Sequence, residues 1–186
     1  GLTLTYVYDD LNRISSVSYP DGKKINYTWS TIRPALLDKT VNRGNQSQQS
    51  QYDAKQQLTV EVNAEGGLYK YEYDANGNLL FFIDANNNIT AFKYDEDNQL
   101  IEKTYADGNK TQFSYDTGGR LATKTNTRGI TATYSYDVND NLIGISYSDS
   151  TPAVTYAYDA YDRLTSQIDT LGTTTYAYDA NSNLTQ

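Results

Sequence analysis

The feature that most constrains this chain is a repeated phrase: an aromatic residue, any residue, a tyrosine, then an aspartate. It stands as "KYEYDANGNL" at 70–79, "TYSYDVNDNL" at 133–142, "TYAYDAYDRL" at 155–164 and "TYAYDANSNL" at 175–184. The aspartates of the copies are Asp9, Asp53, Asp74, Asp95, Asp116, Asp137, Asp159 and Asp179, and a degenerate copy places Ser30 in that slot. Successive steps are 21, 23, 21, 21, 21, 21, 22 and 20 residues. Just before the slot stand Tyr8, Trp29, Tyr52, Tyr73, Tyr94, Tyr115, Tyr136, Tyr158 and Tyr178. Five residues after it come Ile14, Leu58, Leu79, Leu100, Leu121, Leu142, Leu164 and Leu184. Self-similarity at a fixed short period marks an array in which one supersecondary unit stacks on the next.

The spacing inside each unit has period 2. Aromatic-x-Tyr sets two rings on one face of a strand, and the threonines upstream suit a pleated surface. The residues after the aspartate are turn chemistry. Its third follower is Asn12, Gly77, Asn98, Gly119, Asp140, Asp162 or Ser182, types that tolerate the left-handed conformation closing a three-residue hairpin loop. Such a loop sets Tyr73 opposite Leu79, a ring–aliphatic cross-strand pair. A second turn follows, as "PDGK" at 20–23, "ADGN" at 106–109 and "TRGI" at 127–130. No stretch shows a capped 3.6-residue apolar period. The expected fold class is therefore all-β: tandem antiparallel β-hairpins of about 21 residues, extending one twisted, solenoid-like spiral sheet. Residues 1–186 read as a single array of about nine repeats, cut from a longer polypeptide. The stretch 30–51 departs from the pattern: Pro34 is expected to interrupt a strand, and "GNQSQQSQ" at 44–51 to form a long polar turn or bulge.

Composition removes several function classes. The chain has 19 Tyr against 4 Phe and 1 Trp, with no Cys, Met or His. At 13% aromatic it can bury apolar area despite a mean hydropathy of -0.70, because tyrosine joins an apolar ring to a polar tip. A net charge of -8, with Lys and Arg scattered, gives no footprint for nucleic acid or anionic lipid. No apolar run is long enough for a membrane-spanning helix. Without His or Cys, Ser-His and Cys-His nucleophiles and ordinary zinc sites cannot be built.

Other matches dissolve in the repeat. "DTG" at 116–118 resembles an aspartic-protease loop, but Asp116 occupies the same register as Asp95 and Asp137. "DANGN" (74–78), "DANNN" (84–88) and "DANSN" (179–183) begin like calcium loops. An EF-hand needs Gly at position 6 and Glu at 12; from Asp74 these are Leu79 and Ala85, and from Asp84 Ile89 and Asp95. A paired-carboxylate hydrolase would need a non-repeated acidic pair, and most of the candidates singled out here are repeat aspartates. Of the Asn-x-Ser/Thr sequons at Asn26, Asn45, Asn88, Asn109 and Asn183, most follow from turns that end in Asn before strands that open with Thr. The expectation is thus no catalytic, cofactor or metal residues, and structural roles for the repeated Tyr/Trp–Asp positions.

The units "YVYDDLNRI" at 6–14 and "FSYDTGGRL" at 113–121 resemble the YD repeat of Rhs proteins, and the likeness covers essentially the whole chain. It implies a segment of a bacterial Rhs-type toxin, or of the B/C components of insecticidal toxin complexes, exported to the cell surface or beyond. In that family the repeats build a β-sheet shell around a C-terminal toxin domain. The partners so implied are neighbouring repeats and the enclosed toxin, with edge strands open to self-association. The family's autoproteolytic Asp-Pro element is absent, so no catalytic residue transfers. The competing reading is an adhesion module whose exposed rings bind carbohydrate or protein. The shell reading expects the rings and leucines to share a buried face.

Overall fold

The computed structural model describes residues 3–29, 36–43 and 46–185. Every element is a β-strand: β1 (Thr5–Tyr8), β2 (Ile14–Ser18), β3 (Lys24–Trp29), β4 (Leu36–Arg43), β5 (Gln46–Tyr52), β6 (Leu58–Val62), β7 (Leu68–Tyr73), β8 (Leu79–Ile83), β9 (Ile89–Tyr94), β10 (Leu100–Thr104), β11 (Lys110–Tyr115), β12 (Leu121–Thr125), β13 (Thr131–Tyr136), β14 (Leu142–Tyr147), β15 (Val154–Tyr158), β16 (Leu164–Asp169) and β17 (Gly172–Thr175). The fold is all-β, built of tandem antiparallel hairpins, as the period indicates. The chain divides into two units, Gly1–Lys93 with Tyr105–Asp107, and Tyr94–Thr104 with Gly108–Gln186.

In the first unit, strands consecutive in the chain pair antiparallel from β1 to β9. Tyr8 lies opposite Ile14, Tyr52 opposite Leu58 and Tyr73 opposite Leu79, each one residue past a bulge. Trp29 faces Leu36 in the same way. The second unit repeats the plan from β10 to β17. Its pairs are Tyr115–Leu121, Tyr136–Leu142 and Tyr158–Leu164, with an isolated bridge at Tyr178–Leu184. The bulge is the extra residue that a left-handed turn position imposes on a three-residue loop.

Two expectations require correction. The stretch 46–52 is not a polar turn but strand β5, paired with β4 from Asp38–Gln51 to Arg43–Gln46. Its glutamines and serines form a strand because main-chain ladder bonds do not depend on side-chain polarity. Residues 44 and 45, Ser30 and Pro34 lie outside the described residues. The second correction concerns burial. Rings do alternate with outward-facing residues, as in β7, where Tyr69, Tyr71 and Tyr73 are half-buried and Leu68, Lys70 and Glu72 exposed. Tyr71 packs on Phe82 across the hairpin at 5.3 Å between centroids. Yet the buried apolar side chains, among the described residues, are only Val17 and Ile25, and neither is fully enclosed. Among the described residues, strand contacts run only between neighbours in the chain, so the rings keep part of each face in water.

Candidate functional site

The repeated residues converge at the hairpin turns. Each repeat aspartate folds its carboxylate back over its own loop. Oδ1 of Asp116 accepts from the Gly118 and Arg120 amides at 2.8 and 3.0 Å. The same two bonds recur at Asp9, Asp53, Asp74, Asp95, Asp137, Asp159 and Asp179. The loop's third follower is left-handed throughout, including Gln56 at φ 65°. Several second turns use the same device, with Asn63, Asp84 and Asn126 accepting from the amides two and four residues on. This is the local carboxylate or amide turn that short side chains form with their own backbone.

The residue four after the aspartate completes the turn. Arg13, Arg120 and Arg163 each donate Nε to Oδ2 of their own aspartate at 2.7–2.8 Å, with a second contact from Nη2 at 2.7 Å. Asn78, Asn141 and Asn183 reach the same oxygen through Nδ2 at 2.9–3.1 Å. These donors set the carboxyl acidities. The Arg13 and Arg120 amides, then their guanidinium groups, hold Asp9 and Asp116 below the ordinary carboxylate value. The side chain of Arg163 does so for Asp159, and those of Asn78 and Asn183 for Asp74 and Asp179. At Asp137 burial pushes upward, and the bonds from Asn141 and Asn139 outweigh it.

The turns are also tied across the sheet. Arg120 Nη1 donates to Asp140 Oδ1 of the next turn at 2.6 Å. Asn139 and Asn141 donate to Asp162 Oδ1 at 2.9 and 2.7 Å. Arg163 donates to the Asp179 carbonyl and Ser182 Oγ. In the first unit, Gln57 and Lys55 reach the Gly77 and Ala75 carbonyls. Each arginine lies over the next ring: Arg13 over Trp29 at 5.4 Å, Arg120 over Tyr136 at 4.8 Å, Arg163 over Tyr178 at 4.7 Å.

Those rings end in a contact that pattern reasoning missed. The Tyr115 hydroxyl donates to the Leu100 carbonyl at 2.9 Å, Tyr136 to Leu121 at 3.0 Å, Tyr158 to Leu142 at 3.0 Å and Tyr178 to Leu164 at 2.9 Å. Trp29 Nε1 does the same to the Ile14 carbonyl at 2.7 Å. The acceptor sits where the ladder between hairpins has stopped. The β12–β13 pairs end at Thr123–Thr133 and the β10–β11 pairs at Glu102–Gln112. The bulge turns the first residue of the strand out of register, and a ring tip bridges the gap. The available signal was the slot's preference for Tyr or Trp, which carry a polar tip, over Phe.

The carboxylate of Asp74 accepts two amides and Asn78 Nδ2 within its own turn. Asp116 and Asp140 are bridged by Arg120. Among the described residues no group of three or more acidic side chains could hold a metal, and no helix is long and apolar enough to cross a membrane. Two open grooves of about 500 and 510 Å³ lie in the first unit, one lined by Asp53, Lys55, Tyr71 and Asp74, the other by Asp84, Asn88, Tyr105 and Asp107. Asp53, Asp74 and Asp84 each accept two amides of their own turns at Oδ1.

The RHS Repeat family model matches residues 52–80, 94–131, 119–152, 136–174 and 158–186. No curated protein matches the chain. Among solved structures, TcdB2-TccC3-Cdc42 superposes with a TM-score of 0.62 at 16% identity, over 97% of this chain and 12% of that one. TcdB2-TccC3 without its hypervariable C-terminal region gives 0.60 at 16% identity, over 97% and 12%. The Tc holotoxin pore of Photorhabdus luminescens carrying a TccC3 mutation gives 0.62 at 14% identity, over 98% and 14%. At these identities the likeness is one of fold, and the chain spans a small part of each relative's length.

Proposed function

Because the chain belongs to the RHS repeat family, we propose that it is a structural segment of an exported bacterial Rhs-type toxin, a course-by-course wall of the β-shell that encloses a C-terminal toxin domain. On this reading, residues 1–186 are one array of repeats without a catalytic or toxin domain. The repeated Tyr/Trp–Asp positions act as fasteners, and the partners are adjoining repeats and the enclosed toxin. The observation that carries the reading is that the repeat's defining residues are spent on one another. Tyr136, Asp116 and Arg120 lock a turn, cap a carbonyl and stack in one constellation. A binding module would hold such groups free for a ligand.

Limited proteolysis of the full-length polypeptide tests it. The segment downstream of the array is expected to resist digestion until the repeats themselves are cut. A downstream segment cleaved first, combined with retention of the 186-residue chain on glycans and loss of that retention on Tyr161→Ala, would favour the adhesion reading.

A further inference from the structure

The sheet face opposite the rings changes character in mid-array. One row of cross-strand partners on it runs Ser16, Asn26, Thr40 and Gln49, then Val62 and Leu68. In the second unit a row on the corresponding face reads Ser114, Thr123, Thr133 and Ser146. Only from β6 to β9 do apolar side chains take over. The row beside Val62 and Leu68 is Val60, Lys70, Ile83 and Ile89, and the next is Glu72, Phe81 and Ala91. Leu68, Phe81 and Ile89 stay 42%, 39% and 49% exposed, although the strands that bear them are laddered. Among the described residues strands touch only their chain neighbours, so no other strand lies over this field. A contiguous apolar patch on an otherwise polar face marks an interaction surface.

Two charges stand inside the field and select its partner. Lys70 and Glu72 are exposed and two residues apart on one face of β7. Among the described residues neither side chain has an ion pair or a hydrogen bond. A twofold axis lying in the interface and crossing β7 at the level of Tyr71 reverses strand direction and keeps strand order. It sets Lys70 against Glu72 of a second copy, and Glu72 against that copy's Lys70. The same operation sets Ile83 against Phe81 and Ile89 against Ala91, each in both directions. An axis along the strand would instead oppose Lys70 to Lys70. The field is thus self-complementary in the way that an isologous interface requires. Four strands about 4.8 Å apart and three outward rows about 6.8 Å apart give it a footprint of roughly 400 Å². That lies below the standard interface and makes the association weak and reversible.

We propose that the β6–β9 field is a docking surface for the same field of a second copy of this chain, packed face to face about a twofold axis with Lys70 of each copy on Glu72 of the other. The pairing does not depend on what the array encloses.

Charge reversal tests it. Lys70→Glu and Glu72→Lys are made separately in the 186-residue chain, and sedimentation equilibrium is run up to about 1 mM, where weak interfaces are populated. The unaltered chain is expected to dimerise reversibly. Each single variant opposes like charges at both contacts, and its dissociation constant is expected to rise at least about tenfold. An equimolar mixture of the two variants opposes unlike charges at both contacts, and is expected to return to within about threefold of the unaltered chain. An unaltered chain that stays monomeric, its field then being covered by something other than a second copy, overturns the proposal. So does a dimer that neither single variant weakens, or a mixture no tighter than the single variants. Circular dichroism checks that each variant folds. If one does not, Ile89→Thr, which brings in a residue type of the polar part of this face, decides the matter: a dissociation constant raised at least about tenfold supports the interface, and an unchanged one overturns it.

Discussion

The Tyr136 hydroxyl lies 3.0 Å from the Leu121 carbonyl, fifteen residues back in the chain. It closes the space that opens when the β12–β13 ladder ends at Thr123–Thr133. A side chain thus finishes what the backbone ladder leaves undone, and the same residue takes Arg120 on its ring face.

Removing only the oxygen isolates that bond. Tyr136→Phe is expected to cost about 1 kcal/mol, the usual net value of a hydrogen bond to a partly buried group, with a bare carbonyl left behind. Tyr134→Phe, one ring away on the same face, serves as the matched control and is expected to cost less. Urea denaturation followed by tyrosine fluorescence measures both.

Arg120 acts through three side chains at once, its own Asp116, the Asp140 of the next turn and the neighbouring Tyr136. Its loss should therefore not add to theirs. The fall in Tm for Arg120→Ala with Tyr136→Ala is expected to be smaller than the sum of the two single falls. Arg120→Lys is expected to fail as a rescue, because a lysine cannot form the planar two-point contact with Asp116 while stacking on the ring.

Acid should loosen the turns. Asp9, Asp74, Asp84, Asp116, Asp159 and Asp179 are all held below their ordinary value. The stability they contribute is complete above the unfolded carboxyl pKa of about 4 and is lost as pH falls through the lower folded values. The partly exposed Asp–Arg pairs should also weaken with salt. Tm measured from pH 6 to 2 is expected to drop below about pH 4, and Asp116→Asn is expected to flatten that drop while keeping the turn, as Asn126 does in its own loop.

Alkali should act on the rings in the opposite direction. Burial raises the phenol pKa of Tyr27, Tyr71, Tyr73, Tyr115, Tyr134 and Tyr158 above 10. Their contribution is present below the unfolded value near 10 and is lost as pH rises through the folded values. Tyrosinate absorbance at about 295 nm and loss of β-sheet ellipticity are expected to rise together above that pH; ionisation of these rings without unfolding would contradict the prediction.

Gln56 occupies a left-handed position at φ 65°, where Gly77 and Gly119 stand in sister loops. Gln56→Gly is expected to stabilise by roughly 0.5–1 kcal/mol, and Gly119→Ala to destabilise by about 1 kcal/mol, from the Cβ penalty in that region. Thermal melts decide both signs.

Much of this was legible in the chain. The 21-residue step, the period of 2 and the turn residues lead directly to hairpins with Tyr73 opposite Leu79. What was not legible has one physical cause: it depends on main-chain groups, which carry no letter. The acceptor for Tyr136 is a carbonyl, so Leu121 is as silent in sequence as any other residue. The strand at 46–52 was hidden by its glutamines and serines, because a ladder bond is indifferent to them. The half-buried state of the rings was hidden as well, because period 2 tells which residues share a face and not what covers that face.

The asymmetry of the Tyr–carbonyl contact has a consequence for inheritance. The donor must be an aromatic with a polar tip, but the acceptor is backbone, which every amino acid supplies. Selection therefore acts on one half of each joint. A course copied by unequal recombination brings its own key and meets a usable lock on whatever neighbour it lands beside. An array joined this way can lengthen, shorten or exchange courses one at a time without waiting for a compensating change next door.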